Sequence, residues 1–140
     1  MTPYLVGRCL YGADEAVCGL VTVLCGERIE GATIGVVCEG QLAGGVVYSE
    51  FRGHDIKASI AATSPKWLSR DVLRQLFEYP FKALGCTRIT VLVSDDNPRS
   101  ERLARWLGFV PEGRLRAGMT TGRDGLVFGM LRCECRWIED

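Results

Sequence analysis

The stretch SDDNPRSERLARWLGFVPEGRLR, residues 94–116, decides the fold. Asn97 is a favoured helix N-cap, and Pro98 suits the first helical position, where an N–H is not needed. The residue before a proline avoids helical angles, which agrees with Asn97 as the cap. Gly108 ends the helix in the left-handed conformation. The spacing therefore predicts a helix from 98 to about 107. Capping accounts for Asn97, Pro98 and Gly108. It does not require Ser94 at the end of the preceding strand or Ser100 in the first turn. These polar residues gather at a strand's C-terminal end, where open α/β sheets bind ligands.

Working outward, TRITVLVS (87–94) is a short β-branched run that reads as a buried central strand. Before it, LSRDVLRQLFEYPFKALG carries Val72, Leu73, Leu76, Phe77, Pro80 and Leu84 along one helical face. Pro80 is expected to kink or interrupt that helix. DIKASIAAT alternates and gives a strand at about 56–63, and ATIGVVCEGQLAGGVVYSEF reads as a hairpin around EGQ. GADEAVCGLVTVLCGERI fits a helix from about 13 to 27, and TPYLVGRC a first strand. Two last strands surround a glycine-rich turn. The order βαβββαβαββ implies one α/β domain over residues 1–140. Its mixed, twisted sheet has about six to seven strands, parallel in the middle and antiparallel on either side.

Composition narrows the class. The N-terminus lacks a signal-peptide pattern, and no apolar run reaches the roughly 20 residues of a membrane helix, so a cytoplasmic protein is expected. Seven cysteines, most in apolar runs, read as buried thiols in a reducing compartment. With one histidine, His54, and no paired ligand spacing, no metal site is expected. Net charge is zero but uneven. Residues 1–50 hold two basic and six acidic side chains, whereas residues 97–136 hold eight arginines and four acids. An anionic ligand near the C-terminal half fits that asymmetry.

The motif Asn-x-x-Ser, an apolar helix and Gly-Phe in NPRSERLARWLGF, followed by VPEGRLR, resembles the C-terminal half of GNAT (GCN5-related) N-acetyltransferases. The chain looks most like the branch that acetylates ribosomal-protein N-termini and small phage or prophage members. The resemblance implies the acyl-CoA N-acyltransferase fold, acetyl-coenzyme A as cofactor and an amine as acceptor. It places the coenzyme in a V-shaped opening between the fourth and fifth strands, with Ala61 and Ala62 offering backbone groups to the pantetheine arm. Ser94 and Asn97 would flank that arm. The family's glycine-rich pyrophosphate loop is absent: residues 64–71 read SPKWLSRD. A helix N-terminus still offers free N–H donors to an anion. Lys66, Trp67, Leu68, Ser69 and Arg70 are therefore the candidate coenzyme-binding residues of this segment. Ser100 matches the proposed acid of the ribosomal branch, while the tyrosine used elsewhere in the superfamily would fall near Ala104. For the base, VVYSEF offers Glu50, with Tyr48 on the same strand face shaping the acceptor pocket. Two alternatives share the fold: a non-catalytic interaction module, and a phage-type enzyme modifying adenine in nucleic acid, its arginines facing phosphates. A homodimer is compatible with the chain.

Overall fold

A computed structural model describes residues 7–63 and 68–139. The strands are β1 (Arg8–Tyr11), β2 (Ala32–Cys38), β3 (Gln41–Ser49), β4 (Asp55–Ala62), β5 (Arg88–Ser94), β6 (Val110–Leu115) and β7 (Gly125–Leu131). The helices are α1 (Asp14–Cys25), α2 (Arg70–Glu78) and α3 (Pro98–Leu107). One seven-stranded sheet has the order β1-β2-β3-β4-β5-β7-β6. Among the described residues only β4 and β5 pair in parallel, and every other neighbouring pair is antiparallel. The central parallel pair and its antiparallel flanks are those expected from the sequence. The start of the proposed first strand, before residue 7, lies outside the described residues.

Alternation along the strands divides the sheet into two faces. Ile34, Val36, Val46, Tyr48, Ile56 and Ala58 pack with α2, α3 and Phe128 into the main core. The opposite face carries α1, whose Val17 and Val21 seat on Val47 and Ala61. Paired Gly35 and Gly45 allow that seating: a Cβ on either would come within 2.8 Å of a Val17 methyl. The Asp14 carboxylate ties α1 to β2, accepting from the Thr33 amide at 3.2 Å and its hydroxyl at 2.6 Å.

Pro80 acts as its chemistry demands. α2 stops at Glu78, and a five-residue π-helical turn, Tyr79–Ala83, follows. In a continuous helix the Leu76 carbonyl would accept from residue 80, but proline has no N–H. The buried Tyr48 hydroxyl donates to that carbonyl at 2.5 Å. Among the cysteines, Cys86 is buried, Cys133 exposed, and Cys25 and Cys38 only partly covered, less than expected. Burial pushes the Cys9 and Cys25 thiols up to about 11. No helix among the described residues is long and apolar enough to cross a membrane.

Candidate active site

The site follows from how β4 and β5 meet. β3 holds β4 from Lys57 to Ala62, and β7 holds β5 from Arg88 to Ser94. Toward each other, however, the two strands pair only at Asp55↔Arg88, Ile56↔Ile89 and Lys57↔Thr90. Among the described residues no ladder links Ala58–Ala62 to Val91–Ser94. Buried backbone N–H and C=O groups without ladder partners are costly unless something else satisfies them. The open edges therefore form a polar slot within an apolar wall, suited to an extended amide-bearing chain.

α3 supplies one lip of this opening. The Asn97 amide donates to the Ser94 carbonyl at 3.0 Å, turning the chain sharply out of β5. The Asn97 side-chain Oδ1 accepts from the Ser100 amide at 3.2 Å, so the expected cap is formed. Gly108 closes the helix at φ 108°, in the left-handed region. The Ser94 hydroxyl is engaged by the Asp96 carboxylate. Asp95 receives Arg114 at 3.2 Å and Arg123 at 3.0 Å, fastening the β6–β7 segment to this turn.

Two neighbouring spaces result, sharing Asn97 and Ser100 in their walls. A groove of about 550 Å³ is lined by Ala61, Ala62, Asn97 and Ser100, with Leu24, Arg102 and Trp106 at its rim. A tight cavity of about 30 Å³ lies at the gap between the strands, reached by Ser94, Asn97, Ser100, Ala104, Lys57 and Glu27. Glu27 follows α1, and its carboxylate accepts from the Thr120 amide at 2.7 Å, joining the α1–β2 and β6–β7 segments. Cys25 also borders the cavity, but burial and the nearby Glu27 charge hold its thiol up at about 11. A thiol that stays protonated at neutral pH is a poor nucleophile.

The structure thus gathers Ala61, Ala62, Ser94, Asn97 and Ser100 around one opening. It places the other candidates elsewhere. Tyr48 is 3 % exposed, in the core with its hydroxyl committed to Leu76, so the expected acceptor-pocket role is corrected. Glu50 does not continue the β3 face. It lies just beyond the strand at φ 53°, exposed, with its carboxylate 3.6 Å from Lys57 Nζ. Lys57 is the last β4 residue paired with β5, about 13 Å along β4 from Ala61 at about 3.3 Å per residue. His54 is an exposed loop residue whose carbonyl accepts from the Thr87 and Arg88 amides. Leu68 is core, and Ser69 caps α2 by accepting from the Val72 amide at 3.2 Å. The Arg70 guanidinium reaches the Arg136 carbonyl at 3.5 Å. Lys66 and Trp67 lie outside the described residues.

The sequence reading missed Leu24, Glu27, Lys57, Arg102 and Trp106. Arg102 and Trp106 are four apart and so share one side of α3. That side lies roughly 120–160° round the helix from Ser100 at about 100° per residue, so helical spacing did not point to them. Leu24 comes from α1, on the other face of the sheet, and Glu27 from the segment just after that helix, and no local signal predicts their approach.

A mixed sheet with one parallel pair opened at its C-terminal ends, α1 on one face and α2 and α3 on the other, defines an α/β fold of the acyltransferase type. Solved structures with this fold are GNAT-family and related acetyltransferases. One described as a putative acetyltransferase superposes with a TM-score of 0.62 at 25 % identity, covering 74 % of this chain and 58 % of that one. A GNAT-family acetyltransferase from Bacillus anthracis gives 0.58 at 20 % identity, covering 71 % and 65 %. The spermidine/spermine N-acetyltransferase SpeG of Vibrio cholerae gives 0.61 at 22 % identity, covering 73 % and 64 %. The chain thus spans about three fifths of the length of the solved acetyltransferases it matches. No protein-family model matches it, and no curated protein matches it by sequence. The likeness reaches the GNAT fold and goes no further toward the ribosomal or phage branches.

Proposed function

We propose that the chain is an N-acetyltransferase that moves an acetyl group from acetyl-coenzyme A to an amine by direct attack. The observation carrying this is the unpaired stretch of β4 against β5, with Asn97 and Ser100 at its lip. The fit is chemical: the pantetheine arm carries amides that can complete the open backbone edges of Ala58–Ala62 and Val91–Ser94. When bound, the coenzyme supplies an activated acyl carbon. The chain's residues hold it, orient the acceptor and move protons. The amine nitrogen forms the new C–N bond as the C–S bond breaks; one proton leaves the nitrogen and one reaches the sulfur. Ser100 lines both spaces and is our candidate donor to the departing sulfur.

For the proton leaving the amine, Glu27 takes the role first expected of Glu50. It borders the cavity directly, whereas Glu50 meets it only through Lys57. The helix N-terminus at Ser69–Arg70 remains the candidate pyrophosphate holder, with Lys66 beside it in sequence. The nucleic-acid alternative loses support because the arginines of residues 97–136 are largely engaged. Arg114 and Arg123 sit in ion pairs, Arg99, Arg132 and Arg136 donate to carbonyls, and Arg105 lies over Phe128. The test is thiol release from acetyl-coenzyme A against a panel of polyamines, amino acids and peptides with free N-termini. Amine-dependent release that Ser100→Ala and Glu27→Gln each reduce supports the reading. Coenzyme binding without transfer to any amine would favour the interaction module.

A further inference from the structure

The groove lining from α3 includes more than Asn97 and Ser100. Further round the same helix it takes in Arg102 and, four residues later on Arg102's own side, Trp106. Arg102 is exposed and makes no hydrogen bond or ion pair among the described residues, unlike most of its arginine neighbours. Trp106 is 49 % exposed, which is unusual for so large an apolar side chain. It is nevertheless held in place. Its ring packs on Trp137 at 5.5 Å between centroids, and its carbonyl accepts from the Arg136 guanidinium. Trp137 is in turn anchored by its indole N–H, donated to the Leu107 carbonyl at 2.8 Å. The groove therefore ends in a supported aromatic ring next to an uncommitted guanidinium.

Resting on the coenzyme reading above, we propose that Trp106 and Arg102 form a nucleotide subsite. The Trp106 indole stacks on the purine of coenzyme A, and the Arg102 guanidinium pairs with its ribose 3′-phosphate. A planar base matches the free part of the indole surface, and a planar guanidinium pairs well with a phosphate through two parallel N–H···O bonds. The groove's volume, about 550 Å³, leaves room for such a group alongside the arm lying on Ala61 and Ala62. The site would thereby discriminate the full coenzyme from its dephospho form, which lacks that phosphate.

The experiment titrates acetyl-coenzyme A, acetyl-dephospho-coenzyme A and S-acetylpantetheine into the parent, Arg102→Gln and Trp106→Leu, by calorimetry and tryptophan fluorescence. The parent should bind acetyl-coenzyme A about tenfold or more tightly than the dephospho form, the scale of one charge-assisted contact. Arg102→Gln, an exposed change that leaves folding intact, should abolish that difference. Trp106→Leu should weaken both nucleotide forms about tenfold and remove the fluorescence quench on binding. Its melting temperature is measured alongside. If that variant does not fold, the Arg102→Gln comparison decides alone. Equal affinity of the parent for all three compounds overturns the subsite while leaving the coenzyme reading intact. No binding of any of them overturns both.

Discussion

Replacing Asn97 by alanine separates the two tasks the structure gives it. Among the described residues, three hydrogen bonds fix Asn97. Its amide donates to the Ser94 carbonyl at 3.0 Å, its carbonyl accepts from the Glu101 amide at 3.2 Å, and its side chain accepts from the Ser100 amide at 3.2 Å. The first two belong to the backbone and survive the change. Only the cap is lost. Pro98 has already removed one of the helix's free donors, so no second side chain is called on to replace it. The cost is that of one N-cap, roughly 0.5–2 kcal/mol. For a domain of this size, about 3 °C accompanies each kcal/mol, so melting should fall by about 2–6 °C. Asn97→Asp keeps an oxygen for the cap and should restore most of that loss. It also removes the side-chain N–H donors of a residue that lines the groove, and so should still bind acetyl-coenzyme A several-fold more weakly. Thermal melts and coenzyme titrations of both variants test this. If Asn97→Ala melts with the parent, the capping argument is refuted. If Asn97→Asp binds the coenzyme as the parent does, the amide has no place at the ligand.

Tyr48→Phe should destabilise by about 1–3 kcal/mol in chemical denaturation, since it leaves the buried Leu76 carbonyl without its donor above Pro80. Its turnover per folded molecule should match the parent's. Glu27→Gln should lower turnover more than Glu50→Gln in steady-state assays at neutral pH, and the reverse order would return the base to Glu50. Cys25 carries a pH signature. Its thiol titrates near 11 when folded, against about 8.5 in an unfolded chain. Between about pH 9 and 11 the folded state keeps protons that the unfolded state has lost, so stability should fall as pH rises, and Cys25→Ala should flatten that fall. Under native alkylation Cys133 should react first and Cys86 last, which peptide mapping by mass spectrometry reads directly.

Much of this was legible because its causes are local. The α3 boundaries are written in Asn97, Pro98 and Gly108, and the helix runs Pro98–Leu107 as capping requires. Pro80 likewise marked its own interruption, though not that a tyrosine from β3 would answer the missing donor. Alternation located β4 and β5 but cannot say where two strands stop pairing, because that depends on what packs beneath them. The same limit explains Tyr48 and Glu50. Period two put both on one face, but Glu50 adopts a left-handed backbone at the strand's end and turns away. Glu27 reaches the cavity from across the sheet, a placement fixed by Val17 and Val21 seating α1 over the glycine pair.

The central claim is that the parted edges of β4 and β5 receive the coenzyme. The most direct measurement is an amide-resolved NMR titration of the ¹⁵N-labelled protein with acetyl-coenzyme A. The account predicts saturable shifts concentrated at the amides of Ser59 to Ala62, Val91 to Ser94, Asn97 and Ser100, with β1 and β2 unmoved. Saturable shifts confined to other strands, or a spectrum unchanged at millimolar coenzyme, would contradict it.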